Sequence, residues 1–167
     1  VNDNGAPNNA VSIGANFSRD FNGVGISASA GYGTEDRPNS TDGDPDMFSA
    51  SLGASVGGFS FGGDVLVQDG GTRAGNTSND GEAYALGAAY TSGPWTAGVN
   101  GIISEVEGDV TINGEESRGA LSVGLDYAMG PGVKLGSSVI YQEFSTEEQG
   151  DGQLEALGGY LGATVSF

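Results

Sequence analysis

Residues 119–144 read GALSVGLDYAMGPGVKLGSSVIYQEF and contain the pattern that decides the fold. On both sides of Gly130-Pro131-Gly132, apolar side chains occupy every second position, with small or polar residues between most of them. A period of two is typical of a β-strand that has one apolar and one polar face. Gly and Pro at the centre are typical of a tight turn. The stretch therefore predicts two antiparallel strands joined by a short turn.

The same alternation recurs along the chain and predicts nine strands in all. The predicted segments are Val11–Phe21, Val24–Tyr32, Phe48–Val56, Phe59–Val67, Tyr84–Tyr90, Trp95–Ile103, Leu121–Met129, Val133–Tyr141 and Leu157–Phe167. Short connections rich in Gly, Asn and Pro alternate with longer acidic ones. The longer connections are residues 33–46, 69–82, 107–118 and 145–153. Short turns at one rim and long loops at the other are typical of outer-membrane barrels.

The aromatic residues indicate which environment the apolar face meets. The chain has seven Phe, six Tyr and one Trp, and all but Phe144 and Tyr160 fall on the apolar face. Most of them lie near strand ends and flank an aliphatic band, as in strands that cross a bilayer. A soluble sandwich also alternates, but the second face here carries mainly Ser, Gly, Asn and Thr, which suits a water-filled lumen. The sequence thus predicts an all-β, transmembrane, antiparallel up-and-down β-barrel.

Composition excludes several other classes of protein. The 167 residues include no Cys and no His, and 22 Asp and Glu outnumber 5 Lys and Arg, for a formal charge of -17. The chain therefore has no disulfide, no thiolate or imidazole metal site and no Ser-His-Asp triad. So acidic a chain does not neutralise a phosphate backbone, which argues against nucleic acid as a partner. Gly accounts for 32 residues, but a regularly patterned hydrophobic fraction of 37% argues against disorder.

Residues 119–144 and the final stretch GGYLGATVSF (158–167) resemble the C-terminal portion of Gram-negative outer-membrane general porins of the alphaproteobacterial type. The resemblance rests on a strand, a GPG turn, a second strand and a last strand that ends in Phe. It implies a homotrimer of barrels with about 16 strands each in the bacterial outer membrane. It also implies passive diffusion of ions and small hydrophilic solutes, with no cofactor and no enzymatic activity.

The last predicted strand carries a second point of resemblance. Outer-membrane proteins share a terminal pattern of a polar or aromatic residue, a Gly, a hydrophobe and a final Phe at fixed spacing. Tyr160, Gly162, Val165 and Phe167 occupy those positions. The resemblance implies that the barrel-assembly machinery is a partner that reads this signal. The alternative is an ordinary strand that stops at Phe.

The strand count bears on domain organisation. The whole chain, residues 1–167, is predicted to be a single β-barrel domain. Nine strands place the two chain ends at opposite rims, whereas single-chain bacterial barrels have an even number of strands. We therefore expect N-terminal strands to be missing, or the count to be off by one.

Six residues fall on the predicted lumen face and are candidate pore-lining residues. They are Asp20, Asp64, Asn100, Arg118, Asp126 and Lys134. In porins, opposed acidic and basic side chains set a transverse field that screens solutes, and the resemblance implies this role here. The alternative is that these side chains are merely solvated residues of a wetted wall. Arg19 falls on the lipid face instead, close to a rim where a long side chain reaches water.

The acidic stretch Asp42-Gly43-Asp44-Pro45-Asp46 is a candidate calcium site, since Ca²⁺ takes oxygen ligands. It departs from the EF-hand pattern because no Glu stands at the twelfth position and a Pro interrupts the run. Acidic loops at an outer-membrane surface also suit divalent cations shared with lipopolysaccharide, so lipid and lipopolysaccharide are expected partners. The alternative is a solvated surface whose charge deters aggregation.

The sequence is also compatible with other functions. Gly-rich alternating strands also suit a surface filament or adhesive protein, and an incomplete barrel exposes edges that pair with copies of itself. An autotransporter-type barrel shares the terminal Phe, although the N-terminal stretch here has no helical period. Paired carboxylates suggest a glycosidase, but nothing fixes them around a pocket, so no enzymatic activity is predicted.

Overall fold

The computed structural model describes residues 9–36, 44–70, 80–107, 115–146 and 152–166, which form a single nine-stranded antiparallel sheet. Each strand pairs with the strands before and after it in the chain, so the sheet is an up-and-down meander. The strands are β1 (Asn9–Phe21), β2 (Val24–Asp36), β3 (Asp46–Val56), β4 (Phe59–Asp69), β5 (Gly81–Ser92), β6 (Trp95–Glu107), β7 (Glu115–Gly130), β8 (Val133–Thr146) and β9 (Gly152–Val165). These described residues include no helix that could span a lipid bilayer.

All nine predicted strands are confirmed, but the predicted loop boundaries were wrong by a few residues. β2 continues to Asp36, and β7 begins at Glu115, inside the stretch 107–118 that was predicted as a loop. The apolar alternation stops where acidic residues begin, whereas backbone pairing continues beyond that point. Glu107, for example, still pairs with Glu115. The strands therefore extend past the aliphatic band.

The short connections are two-residue turns, and they all lie at one end of the sheet. They are Asn22-Gly23, Gly57-Gly58, Gly93-Pro94 and Pro131-Gly132. Most of the residues in these turns have a positive φ, which is typical of hairpin turns that match the twist of the strands. We call this the turn end, and we call the opposite end, which carries the long acidic connections, the loop end.

Two of the turn glycines are required by space as well as by conformation. Gly58 has a φ of 87°, and a Cβ added there would lie 2.5 Å from the Thr91 carbonyl oxygen. Gly132 has a φ of 76°, and a Cβ there would overlap the Ser166 carbonyl oxygen. Both turns are held to the next strand, because the Thr91 N–H donates to the Gly58 carbonyl at 2.8 Å and the Ser166 N–H donates to the Gly132 carbonyl at 2.7 Å.

Among the described residues, no hydrophobic side chain is buried. The side chains of Leu161, Leu157 and Leu86 are 82%, 75% and 74% exposed. A soluble domain buries apolar side chains between two packed layers or inside a closed sheet. Here the sheet is a single layer, and β1 and β9 are not paired with each other. The apolar side chains therefore face the surroundings of the protein.

Candidate functional site on the polar face of the sheet

The strand register sorts the side chains into two faces. We call the face that carries Leu52, Leu86 and Val99 the apolar face, and the opposite one the polar face. Asp64 lies opposite Ser51 and Ala85 on the polar face. The register places all six predicted pore-lining residues on this same face. Their shared orientation follows from the strand register alone. Their role in lining a pore stays a prediction.

Small side chains leave room on the polar face. A hollow of about 720 Å³ extends from β4 to β9 and brings together Asp64, Asn100 and Asp126. Most of its other lining residues are Gly, Ala, Ser and Thr. Hydroxyl and carboxylate groups bind water, and side chains this small do not fill the space above the sheet. The polar face is therefore suited to contact with water and solutes rather than to close packing.

One ion pair forms on the polar face at the turn end. Lys134 Nζ lies 2.6 Å from Asp126 Oδ2, and the two side chains are 55% and 35% exposed. A Cβ at Gly136 would lie 2.8 Å from Asp126 Oδ1, so the glycine leaves space for the carboxylate. An exposed pair of this kind stabilises the fold by at most about 1 kcal/mol. Its main effect is that the two charges offset each other locally.

The other predicted residues have different surroundings. Arg118 Nη2 donates to Gln142 Oε1 at 3.4 Å, and the Ser122 hydroxyl donates to Asn100 Oδ1. Asp20 Oδ1 accepts a hydrogen bond from the Gly23 N–H at 2.9 Å, which fixes the first turn. Over the described residues, Asp64 makes neither a hydrogen bond nor an ion pair. Only Asp126 and Lys134 are thus brought into direct contact.

The predicted assembly signal spans both faces of β9. Tyr160 and Gly162 lie on the polar face, where they pair with Ser138 and Gly136. A Cβ at position 162 would overlap the phenol ring of Tyr160, so the ring lies over the bare glycine backbone. Such a ring covers a glycine that has no side chain of its own to pack. Val165 lies on the apolar face, and Phe167 lies outside the described residues.

At the turn end, the aromatic side chains of the apolar face contact one another. The ring centroids of Phe59 and Tyr90 are 4.4 Å apart, and those of Trp95 and Tyr127 are 4.5 Å apart. These distances are typical of favourable aromatic pairs. The Arg19 guanidinium lies 5.2 Å from the centroid of the Phe21 ring, within the range of a cation–π contact. The turn end thus has an aromatic belt on its apolar face.

At the loop end, tyrosines of the apolar face contact carboxylates instead. The Tyr84 hydroxyl donates to Glu82 at 2.9 Å, that of Tyr32 to Asp46 at 3.3 Å and that of Tyr141 to Glu143 at 3.5 Å. Several carboxylates also stand directly opposite one another on adjacent strands. These pairs are Asp46 with Asp69, Glu82 with Glu105, Glu107 with Glu115 and Glu143 with Glu155.

Sequence reasoning missed this acidic border of the apolar face. The signal was present for Tyr84 and Tyr141, since each has a Glu two positions towards the loop end and hence on the same face. The opposed pairs depend on register, which the sequence alone does not give. The candidate calcium site stays a prediction, because Asp42 lies outside the described residues. Within the described ranges, no cluster of three acidic residues is placed to hold a metal ion.

The chain is similar to a protein family in sequence and to solved forms of an outer-membrane protein in structure. The sequence model of a family described as "Gram-negative porin" matches residues 1–147. Outer-membrane expressed OmpT of Vibrio cholerae superposes with a TM-score of 0.65 at 10% identity, over 93% of this chain and 56% of that chain. In-vitro folded OmpT of the same organism superposes with a TM-score of 0.65 at 11% identity, over 93% of this chain and 55% of that chain. The loop L8 deletion mutant of OmpT superposes with a TM-score of 0.57 at 11% identity, over 93% of this chain and 53% of that chain.

At these identities the solved structures show a shared fold, that of an outer-membrane protein. The chain spans just over half the length of the structures it matches. No curated protein matches the sequence.

Proposed function

The chain belongs to the family of Gram-negative porins, and from this premise we propose that its polar face lines a water-filled channel. The protein is located in the bacterial outer membrane. The channel passes ions and small hydrophilic solutes by passive diffusion and performs no catalysis. The observation that carries the proposal is the division of the sheet into an apolar face without buried side chains and a polar face of mainly small side chains. Lipid covers the first face and water the second.

The nine strands are proposed to form part of a larger barrel of about 16 strands. Two observations support this: the chain covers 56% of the length of OmpT, and β1 and β9 each pair with one neighbouring strand. The resemblance of residues 119–144 and 158–167 supports the C-terminal portion of an alphaproteobacterial-type porin. It also supports assembly of three barrels into a homotrimer.

The channel is tested by labelling two adjacent positions that face opposite ways. Asn100 lies in the hollow of the polar face, and Val99 is its neighbour on the apolar face. Because this chain contains no cysteine, the variants Asn100→Cys and Val99→Cys each introduce one reactive site. Single-channel conductance is recorded in planar bilayers with protein extracted from membranes, before and after adding a bulky charged thiol reagent.

We expect stable ohmic steps, often in groups of three, that shrink on labelling of Asn100→Cys and stay unchanged for Val99→Cys. The reason is that a bulky group at position 100 occupies cross-section of the lumen, whereas at position 99 it enters lipid. Folded, heat-modifiable protein that gives no steps would contradict the open channel and favour a plugged barrel or a surface assembly.

Two partners are proposed at the rims. The barrel-assembly machinery reads Tyr160, Gly162, Val165 and Phe167, and removal of Phe167 should lower the yield of folded barrel in the membrane, with Ser166→Ala as control.

At the loop end, carboxylates of the apolar face share divalent cations with lipopolysaccharide phosphates. Addition of a chelator should then lower the unfolding temperature of protein in lipopolysaccharide-containing membranes and leave it unchanged in phospholipid alone.

A further inference from the structure

The charges on the polar face are unevenly compensated. Over the described residues this face carries two basic side chains, Arg118 and Lys134. It carries five acidic side chains: Asp20, Glu35, Asp64, Glu116 and Asp126. Lys134 is paired with Asp126 at 2.6 Å. The net charge of the face is therefore negative, and it depends on the carboxylates that no basic group offsets.

Asp64 differs from the other four acidic residues in its position. It stands near the middle of β4, between Ser51 and Ala85 of the adjacent strands, and it lines the hollow on the polar face. Asp20 is next to a turn, and Glu35 and Glu116 lie near the loop end of their strands. Asp64 is thus the carboxylate at mid-depth among the described residues of this face.

Among the described residues, no basic side chain forms an ion pair with Asp64. The residue of β4 in register with Arg118 is Leu66, which is reached across Ala83 and Ser104. Three strand spacings of about 4.8 Å separate β4 from β7, so the backbones of Asp64 and Arg118 are roughly 14 Å or more apart along the sheet. That separation exceeds the Debye length of about 8 Å at physiological ionic strength. The negative charge of Asp64 therefore acts on solutes in the hollow with little compensation.

We propose that Asp64 makes the channel prefer cations over anions. This inference rests on the proposed channel function and adds to it the class of solute that passes more readily. A carboxylate fixed in a channel wall attracts cations and repels anions, and fixed acidic groups are a recurring basis of cation selectivity. The Asp126–Lys134 pair contributes little, because its charges offset each other.

The test measures the reversal potential of membrane-extracted protein in planar bilayers under a KCl gradient. Wild type should give a potential that indicates preference for K⁺. Asp64→Asn should lower the K⁺/Cl⁻ permeability ratio by about twofold or more, and Asp64→Lys should lower it further. Arg19→Gln changes the charge of the apolar face by one unit and should leave the ratio unchanged. Asp64→Cys, labelled after folding, should recover the K⁺ preference with a negatively charged thiol reagent and lose more of it with a positively charged one.

Channels of normal conductance whose permeability ratio is the same in wild type, Asp64→Asn and Asp64→Lys would overturn the inference and leave the channel intact. The same holds if the two thiol reagents give equal ratios. Absence of any conductance from folded protein would overturn the channel itself and this inference with it.

Discussion

The turn end and the loop end of the sheet consist of the same paired strands, yet their side chains make different contacts. At the turn end, aromatic rings of the apolar face contact each other, as Trp95 and Tyr127 do at 4.5 Å. At the loop end, tyrosines donate to carboxylates, as Tyr84 does to Glu82 at 2.9 Å. Carboxylates there also stand opposite one another across adjacent strands.

This difference indicates that the two ends meet different surroundings. Packed aromatic rings suit the boundary between lipid and water without any need for charge. Like charges placed directly opposite one another destabilise a sheet unless water or cations screen them. The loop end is therefore suited to a strongly hydrated or cation-rich surface. Substitutions at each end can break or sharpen this contrast.

The largest effect is expected at the turn end, in the turn Gly57-Gly58. Both residues have a positive φ, but a Cβ at Gly58 would meet the Thr91 carbonyl oxygen, whereas none of the described atoms lies within 4 Å of a Cβ at Gly57. Gly57→Ala should cost about 1 kcal/mol and Gly58→Ala about 2–3 kcal/mol, since only the second adds a steric clash to the conformational cost. Urea unfolding in lipid vesicles measures both. Equal losses would contradict the close approach of Thr91.

The aromatic belt predicts a measurable coupling between two rings. In a double-mutant cycle, Trp95→Leu and Tyr127→Leu should couple by about 1 kcal/mol, because each substitution removes the ring that the other contacts. Trp95→Leu combined with Tyr32→Leu at the loop end should be additive within about 0.5 kcal/mol. If the coupling energy of Trp95 with Tyr127 equalled that of Trp95 with Tyr32, the ring contact between Trp95 and Tyr127 would not contribute to stability.

The tyrosines of β5 should respond differently to removal of their hydroxyl groups. Tyr84→Phe loses the hydrogen bond to Glu82 at the loop end and should lower the free energy of unfolding by about 0.5–1 kcal/mol. Tyr90→Phe at the turn end keeps the ring contact with Phe59. It should change the free energy of unfolding by at most about a few tenths of a kcal/mol. If Tyr90→Phe cost as much as Tyr84→Phe, the two ends would not differ in this way.

The smallest effect is a gain of stability at the loop end. Glu105→Gln removes one charge of the pair with Glu82 and should raise the free energy of unfolding by about 0.5 kcal/mol at low ionic strength. The gain should vanish at about 1 M salt, where the Debye length is near 3 Å. Glu35 is paired with Ala10 and faces no carboxylate in the register, so Glu35→Gln is the matched control. A gain that persists at high salt would exclude charge repulsion as its cause.

The sequence was sufficient to predict the strands and their two faces, because alternation is a local property. Every predicted pore-lining residue shares the face assigned to it, and Phe144 and Tyr160 are the described aromatic residues that lie on the polar face, as predicted. A one-residue error in any strand would have moved its side chains to the other face. The period-two pattern excluded that error wherever apolar residues continued.

Contacts between strands required information that the sequence does not contain. Asp126 and Lys134 meet only because of the tight turn and an irregularity in pairing between Ala128 and Gly130. The strand segment that begins at Glu115 was missed because Glu115-Glu116-Ser117-Arg118 contains no apolar residue and hence no apolar alternation. The lining of a pore stays a prediction, since a lumen depends on the strands that would close the sheet.

The strict alternation of faces also bears on how this chain tolerates changes in length. One residue inserted in the middle of β5 would exchange the faces of every residue from that point to the next turn, so that Leu86 would move to the polar face and Gly87 to the apolar face. A substitution, by contrast, alters one position. The two-residue turns give no slack to absorb such a shift, whereas long surface connections do. Over evolutionary time, insertions and deletions should therefore accumulate at the loop end, while the strands and the turn end change by substitution.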